Sequence, residues 1–220
     1  MQVRRHDRVV RPRSPMPELK ATTHPSRKLL KRILAVPHDD EAWTELAANY
    51  SAMADIWTHW ATDETDPHDY VAPVAAGLAH ISRLPWCVEV SCGTGQATSL
   101  LTQHCARVMT TDINESMIRK APQLPGVHRL LADVRRMPFA DRSVPLLVGL
   151  NAVPHIEEFK RVLMADGCIL WCTSFGAGTP LHVEPAELLE AMADGWVADV
   201  GSAAHGDWML MRRATAHVRI

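Results

Sequence analysis

The hydrophobic positions of this 220-residue chain form short apolar runs that alternate with segments of helical periodicity. Five strand-like runs lie at residues 86–91, 107–111, 128–132, 146–150 and 167–173. Helical patterns cover residues 96–105, 115–120, 156–164 and 184–193. Alternation of this kind predicts a parallel sheet with helices on both faces, the doubly wound α/β class.

The C-terminal part of the chain breaks this alternation. Two strand-like runs, residues 196–201 and 207–212, are separated by only five residues. So short a link permits antiparallel pairing and leaves no room for a helical crossover. The pattern therefore predicts a seven-stranded, Rossmann-like sheet that ends in an antiparallel hairpin.

Upstream of the first strand, the pattern is helical. Asp39 or Asp40 is a suitable N-cap for a helix that continues to Trp57 and Trp60, and a second helix is predicted from Tyr70 to about Leu84. A polar break at residues 61–68 separates the two. We therefore predict three parts: a basic, flexible arm over residues 1–37, a helical cap over 38–85 and a ligand-binding domain over 86–220.

Charge is distributed unevenly, although the formal net charge is only −2. Residues 1–32 contain ten Lys/Arg and two acidic residues, and three prolines among the first seventeen positions oppose helix formation. The expected state is a solvated tail, and Met16 is an alternative start of the natural protein. The arm lacks interleaved aromatic residues, which argues against a nucleic-acid partner.

The segment with most chemical content is the end of the first strand. Ser91, Gly93 and Gly95 form a loop in which backbone N–H groups can approach a ligand closely. The next strand ends in Asp112, where an acidic residue suits the hydroxyls of a ribose. These features indicate a nucleoside-containing cofactor, either a dinucleotide or S-adenosylmethionine.

Three observations favour S-adenosylmethionine over a dinucleotide. Glu89 precedes the loop, where a pyrophosphate would be repelled but a cationic amino-acid tail would be attracted. A third acidic residue, Asp133, follows a further apolar segment, and neither tyrosine begins the Tyr-x-x-x-Lys pair of short-chain dehydrogenases. An NAD(P)-dependent oxidoreductase stays as the alternative.

Five ordered motifs in residues 86–213 resemble those of class I S-adenosylmethionine-dependent methyltransferases, in particular the small-molecule enzymes. They are Val88–Gly95, Thr111–Met117, Ala132–Val134, Met137–Ser143 and Arg161–Gly167. The resemblance implies S-adenosylmethionine as cofactor and transfer of its methyl group to an oxygen or nitrogen of a small molecule. Separately, the cysteine usage and the lack of a visible signal peptide lead us to expect a cytoplasmic protein. A non-catalytic protein of this fold, or a methyltransferase acting on nucleic acid or protein, is a further alternative.

The resemblance also implies roles for individual residues. Glu89 is expected to reach the cofactor's amino group, Asp112 its ribose, and Asp133 with the Val134 N–H its adenine. Ile113 and Met117 are expected to sandwich the adenine or to pack in the core. The predicted cofactor-binding set is Glu89, Ser91, Cys92, Gly93, Gly95, Asp112, Ile113, Met117, Asp133, Val134 and Asn151.

The sequence gives weaker evidence for the residues that bind the methyl acceptor or act on it. His155, just past the fourth strand, is the candidate general base. Tyr50, Trp57 and Trp60 on the front helix, with His182 in the loop after the fifth strand, are candidate substrate-binding residues. There is no His/Cys/Asp cluster at metal-ligand spacing and no apolar run of membrane-spanning length, so we expect neither a metal site nor a membrane span.

Two positions depart from the family pattern. Ser91 replaces the first glycine of the loop, which we expect to be tolerated if its φ is negative and its hydroxyl faces the cofactor. Pro145 occupies the start of the fourth strand, where many relatives have an acidic residue, so this strand is predicted to begin at Leu146. The five cysteines lack CxxC spacing and are expected to be reduced.

Overall fold

A computed structural model describes residues 2–16, 23–57, 69–193 and 195–214. Trp60 and the predicted polar break at 61–68 lie outside these ranges. The strands are β1 Gln2–Arg5, β2 Leu84–Val90, β3 Cys105–Asp112, β4 Val127–Leu131, β5 Val144–Leu150, β6 Leu163–Thr173, β7 Trp196–Ala203 and β8 Gly206–Arg213. The α-helices are α1 Pro25–Ala35, α2 Asp40–Ala52, α3 Ala72–Leu78, α4 Thr98–His104, α5 Glu115–Ile118, α6 Ile156–Val162 and α7 Pro185–Ala191.

All strands join one sheet, in the order β1-β7-β8-β6-β5-β2-β3-β4. Every described neighbouring pair is parallel except those of β8, which runs antiparallel to both β6 and β7. The predicted α/β class, the seven predicted strands and the terminal antiparallel hairpin are therefore confirmed. Chain order reverses between β5 and β2, and such switch points open a crevice at the carboxyl ends of the strands.

Side chains of the inner strands alternate between two apolar cores, one on each face of the sheet. Helices α1, α2, α6 and α7 cover one face, against residues such as Val88 and Leu147. Helices α3 and α4 cover the other, against residues such as Cys87 and Leu146. Strands buried on both faces need continuous apolar runs, which is why they were predictable from hydrophobicity alone.

The N-terminal segment differs from the predicted flexible arm. Gln2–Arg5 adds an eighth strand beside β7, in a register that pairs Arg4 with Asp199. Pro25–Ala35 is a helix with proline in its first turn, and the His24 side chain accepts a hydrogen bond from the Ser26 N–H. All four residues of β1 are exposed, so that strand has no alternating hydrophobic pattern.

The helix predicted from Asp39 is present, but it ends at Ala52 instead of continuing to Trp57, and residues 54–57 form a separate helical turn. The Asp39 side chain caps α2 by accepting from the Ala42 N–H at 2.9 Å. The strand predicted from Leu146 begins earlier, at Val144. Its pairing with β6 shifts in register between Val144 and Leu146, around Pro145. Because proline has no N–H to donate to the ladder, it fits at such an irregularity. None of the described helices is long and apolar enough to cross a membrane.

Candidate functional site

A cleft of about 960 Å³, partly open to solvent, lies at the carboxyl ends of the central strands. The ends of β2, β3, β4 and β5 form its floor, and α2 with the chain following it forms one wall. Each predicted acidic residue, Glu89, Asp112 and Asp133, lines it. Because β2, β3 and β4 are neighbours in the sheet, their ends bring these carboxylates into one row.

The loop after β2 turns through three residues with positive φ: Ser91 at 49°, Gly93 at 57° and Gly95 at 77°. Gly93 lines the cleft, and a Cβ built on it would meet no atom within 4 Å, so this side of the backbone is open to a ligand. Gly95 does not line the cleft. A Cβ there would lie 2.6 Å from Pro122 Cδ, so Gly95 permits the turn and its close packing.

We expected Ser91 to replace glycine with a negative φ. That expectation is wrong, because the φ of Ser91 is positive. The left-handed region disfavours a residue that has a Cβ. Ser91 nonetheless lines the cleft. Cys92 also lines the cleft, and burial raises the pKa of its thiol well above the usual value, with further contributions from Glu89 and Asp112.

Glu89 is a buried carboxylate with one side facing the cleft. Its exposure is 2%, and the hydroxyl groups of Thr98 (at 2.5 Å) and Thr110 both donate to Oε2. Burial raises the pKa of Glu89 to about 7, although the two threonine bonds oppose the rise. Neither threonine bond uses Oε1. A cation in the cleft would therefore stabilise the ionised form of this group.

Asp112 is held by backbone donors. Its Oδ2 accepts from the Gly93 N–H and its Oδ1 from the Asn114 N–H, both at 2.8 Å. Burial raises the pKa of Asp112 despite these bonds. The carboxylate thus fastens the glycine loop to the end of β3, and its remaining lone pairs face a cleft that Ile113 and Met117 also line.

Asp133 is engaged by Arg135. The Arg135 Nε and Nη2 atoms lie 2.9 Å and 2.7 Å from Asp133 Oδ2, and the Arg135 N–H donates to Oδ1 at 2.8 Å. Burial alone would raise the pKa of Asp133, but these bonds lower it, so the group stays ionised. Val134 lines the cleft beside it. The predicted adenine-binding acid therefore already has a partner.

Asn151 was predicted to bind the cofactor, and it does line the cleft. Its carboxamide, however, bonds Ser174 twice, donating from Nδ2 to Oγ at 2.9 Å and accepting from the N–H at 2.8 Å. With φ at 52°, Asn151 adopts a left-handed conformation that asparagine tolerates. Its observed role is to join the ends of β5 and β6.

The cap contributes an apolar wall. Tyr50 and Trp57, the predicted substrate-binding residues of the cap, line the cleft, and burial raises the pKa of the Tyr50 phenol, which is hydrogen-bonded to Ser26. Several lining residues were not predicted; apart from the polar Gln96 they are apolar, and an apolar pattern indicates only burial. These are Trp43, Leu46, Ala47, Gln96, Ala97, Leu150, Ala152, Val153 and Leu181.

The two predicted histidines do not line the cleft. His155 is 4% exposed, and its Nδ1 accepts from the Glu158 N–H at 3.4 Å, so it caps α6. Burial lowers the pKa of His155. His182 is buried 3.1 Å from Glu184 Oε1 without hydrogen-bond alignment, while the neighbouring Leu181 faces the cleft. The structure therefore gives neither histidine the position of a general base or a substrate contact.

The described residues contain no group of three His, Cys, Asp or Glu side chains that could hold a metal ion. The cleft instead contains an acidic residue at the end of each of three adjacent strands, and a backbone at Gly93 that a ligand can approach closely. The first of these acids, Glu89, would be stabilised in its ionised form by a cation. This set fits the ammonium, ribose and adenine of S-adenosylmethionine. The sheet and cleft together define the class: a Rossmann-like methyltransferase fold.

Comparison with known proteins agrees with the assignment of a methyltransferase fold. Residues 88–169 match a family model described as a methyltransferase domain. The chain is 29% identical over 96 residues to malonyl-[acyl-carrier protein] O-methyltransferase of Hamiltonella defensa, covering 40% of this chain and 37% of the relative. It is 29% identical over 128 residues to a phthiotriol/phenolphthiotriol dimycocerosates methyltransferase of Mycobacterium tuberculosis, covering 49% and 47%. The chain thus spans less than half the length of these relatives.

Among solved structures, a SAM-dependent methyltransferase from Aquifex aeolicus superposes with a TM-score of 0.53 at 16% identity, over 70% of this chain and 97% of that one. At this identity the likeness concerns the fold. With the ordered motifs and the cleft, the matched family model identifies residues 88–169 as a methyltransferase domain of the class I S-adenosylmethionine-dependent type.

Proposed function

We propose that this protein transfers the methyl group of S-adenosylmethionine to an oxygen or nitrogen nucleophile of a small-molecule acceptor. The observation that carries the proposal is the row of three carboxylates, Glu89, Asp112 and Asp133, in one cleft beside the open backbone of Gly93. In a dinucleotide-binding site, a buried carboxylate at the position of Glu89 would repel the pyrophosphate. For a methionine ammonium it is a suitable partner.

In this proposal each group has a definite task. Glu89 binds the ammonium, Asp112 accepts from the ribose hydroxyls, and Asp133 with Val134 receives the adenine, which Ile113 and Met117 flank. The bound cofactor supplies a methyl group already activated on a sulfonium. The protein's residues therefore have to align the acceptor with that methyl and exclude water.

The acceptor side is supported by the composition of the wall. The cleft lining also includes an apolar and aromatic set: Trp43, Leu46, Tyr50, Trp57 and Leu181. Such a surface suits an acceptor that is apolar next to its nucleophile. The names of the two curated relatives, one an O-methyltransferase, are consistent with a small acceptor group.

The test is calorimetric titration of the whole chain with S-adenosylhomocysteine, with NADH as the parallel ligand. We expect micromolar binding of S-adenosylhomocysteine that weakens at least about tenfold in Asp112→Ala, because hydrogen bonds to a charged group contribute about 1.5–3 kcal/mol. Asp166→Ala removes an exposed acid outside the cleft and is the matched control.

Thermal unfolding of both variants separates lost binding from lost folding, since Asp112 also holds the glycine loop. Binding of NADH without S-adenosylhomocysteine would overturn the proposal. When binding is established, methyl-labelled S-adenosylmethionine and a panel of carboxylic acids, phenols and amines with apolar substituents will identify the acceptor class.

A further inference from the structure

A second concave site lies on the sheet face covered by α3, at the edge formed by β1, β7 and β8. Arg4 pairs with Asp199 in register, and His6 follows two residues later, just past the end of β1, where its N–H still donates to the Val200 carbonyl at 2.8 Å. Arg212 pairs with Val197, two residues before Asp199. Because side chains alternate along a strand, Arg4, His6, Asp199 and Arg212 all point to one side of the sheet.

The one carboxylate of this group is already paired twice. Asp199 Oδ1 lies 2.9 Å from His6 Nε2, and Oδ2 accepts from Arg212 Nη1. The Asp199 side chain is only 8% exposed. Burial would raise the pKa of Asp199, but these two partners hold it below its usual value. Arg212 and His6 are therefore sufficient to satisfy the buried acid.

Two further basic side chains are present beyond those that pair with Asp199. Arg4 is exposed at the rim, and His80, in the turn after α3, has its ring centroid 4.5 Å from that of His6. The His80 ring also stacks on Trp208 at 4.8 Å and 25°. With Ala79, Ile81 and Ser82 these groups line a hollow of about 850 Å³, open to solvent, which we call the edge pocket.

The edge pocket has an excess of positive charge. Two guanidinium groups face one carboxylate, which leaves a net charge of +1 before either imidazole is protonated. The pKa of His80 is lowered by burial first, and then by the nearby His6, Arg4 and Arg212, which outnumber the opposing Asp199. An anion in the hollow would remove this repulsion.

The edge pocket is separate from the cofactor cleft. The residues after α3 precede β2 and so lie at its amino end, whereas the cleft lies at its carboxyl end. The two cavities share no lining residue. Binding in one therefore needs no occupant in the other.

We propose that the edge pocket binds a small oxyanion of the phosphate or phosphate-monoester class. Arg4 and Arg212 supply charged donors, and an imidazolium at His80 adds a third. Asp199 holds Arg212 and His6 in position through its contacts with both side chains. A nucleic-acid backbone is a different class of ligand, for which the charge would have to extend beyond this hollow along β1.

The test uses the whole chain and inorganic phosphate, with sodium chloride holding ionic strength constant. In NMR spectra, the imidazole resonances of His6 and His80, assigned with the variants His6→Gln and His80→Gln, should shift as phosphate is added and reach saturation. Arg4→Gln should weaken phosphate binding about tenfold, since it removes one charge-assisted contact. Arg5→Gln changes the neighbouring exposed arginine, whose side chain points to the opposite face, and is the matched control.

Sulfate, whose charge is constant near neutral pH, then tests His80. Its binding should strengthen as pH falls, because His80 gains a proton, and His80→Gln should reduce that dependence. Shifts that rise linearly without saturation, or equal weakening by Arg4→Gln and Arg5→Gln, would show diffuse attraction and overturn the proposal. Arg5→Gln weakening the binding of a single-stranded oligonucleotide as strongly as Arg4→Gln would assign this surface to nucleic acid instead.

Discussion

Glu89 combines a cost to folding with a benefit to binding. It is buried, and the ionised form lacks a cationic partner among the contacts described. The pKa of about 7 means that the native state holds a proton more tightly than the unfolded chain, in which the value is near 4.5. Between these values the unfolded state binds fewer protons, so the free energy of unfolding falls as pH rises.

This difference yields a prediction for the ligand-free protein. The free energy of unfolding should drop by up to about 3 kcal/mol as pH rises from about 4.5 to about 7. Glu89→Gln should remove that loss and be more stable than the wild type at pH 8, as measured by urea unfolding. Glu187→Gln, at an exposed glutamate on α7, is the control and should follow the wild type.

The same substitution should have the opposite effect on binding. Affinity for S-adenosylhomocysteine should rise with pH up to about 7 as Glu89 ionises, and Glu89→Gln should bind at least about tenfold more weakly with a flat pH profile. Calorimetry across this pH range measures both. Unchanged affinity in Glu89→Gln would mean that Glu89 does not contact the ammonium.

At the scale of elements, Arg135 joins the cap to the cofactor-binding turn. Its Nη1 donates to Asp40 at 2.6 Å, at the start of α2, while Nε and Nη2 bind Asp133. The guanidinium also lies over the Trp43 ring, 5.3 Å from its centroid. A planar, forked cation can make these contacts together, and a lysine cannot.

We predict that Arg135→Gln loosens α2 without unfolding the protein. Because Asp40 is exposed, its ion pair contributes little, and the total loss should be about 1 kcal/mol. Amides of α2 should then exchange with deuterium about fivefold faster, measured by mass spectrometry. Arg136→Gln, at the adjacent exposed arginine, should leave them unchanged. Equal exchange in both variants would show that Arg135 does not hold the cap.

The elements differ in how well sequence alone predicts them. The inner strands and the hairpin were predictable because burial on both faces demands apolar runs, and short links restrict topology. β1 was not, because its four side chains are exposed and its stability comes from the edge of β7. No local pattern signals a contact across nearly two hundred residues, such as His6 with Asp199.

The site shows the same division. Glu89, Asp112 and Asp133 were predictable because strand ends converge at one edge of a parallel sheet. Whether a polar side chain is free for a ligand depends on neighbours distant in sequence, such as Ser174 for Asn151. The positive φ of Ser91 was likewise hidden, because serine has no preference for that conformation.

At the scale of the whole molecule, the sheet separates its two cavities. The described cleft residues lie between Trp43 and Leu181, whereas the edge pocket depends on β1. β1 also covers the edge of β7, whose backbone groups would otherwise be open to pairing with another chain. The N-terminal segment should therefore affect stability and association more than cofactor binding.

Deleting residues 1–16 tests this division of roles. We expect affinity for S-adenosylhomocysteine to change by less than about twofold, and the free energy of unfolding to fall by about 1–2 kcal/mol as Asp199 loses its bond to His6. Sedimentation velocity should reveal self-association through the exposed edge of β7. His6→Gln in the whole chain should lower stability without self-association, which separates the lost bond from the lost strand. A large fall in S-adenosylhomocysteine affinity on deletion would instead show that this segment helps to complete the cleft.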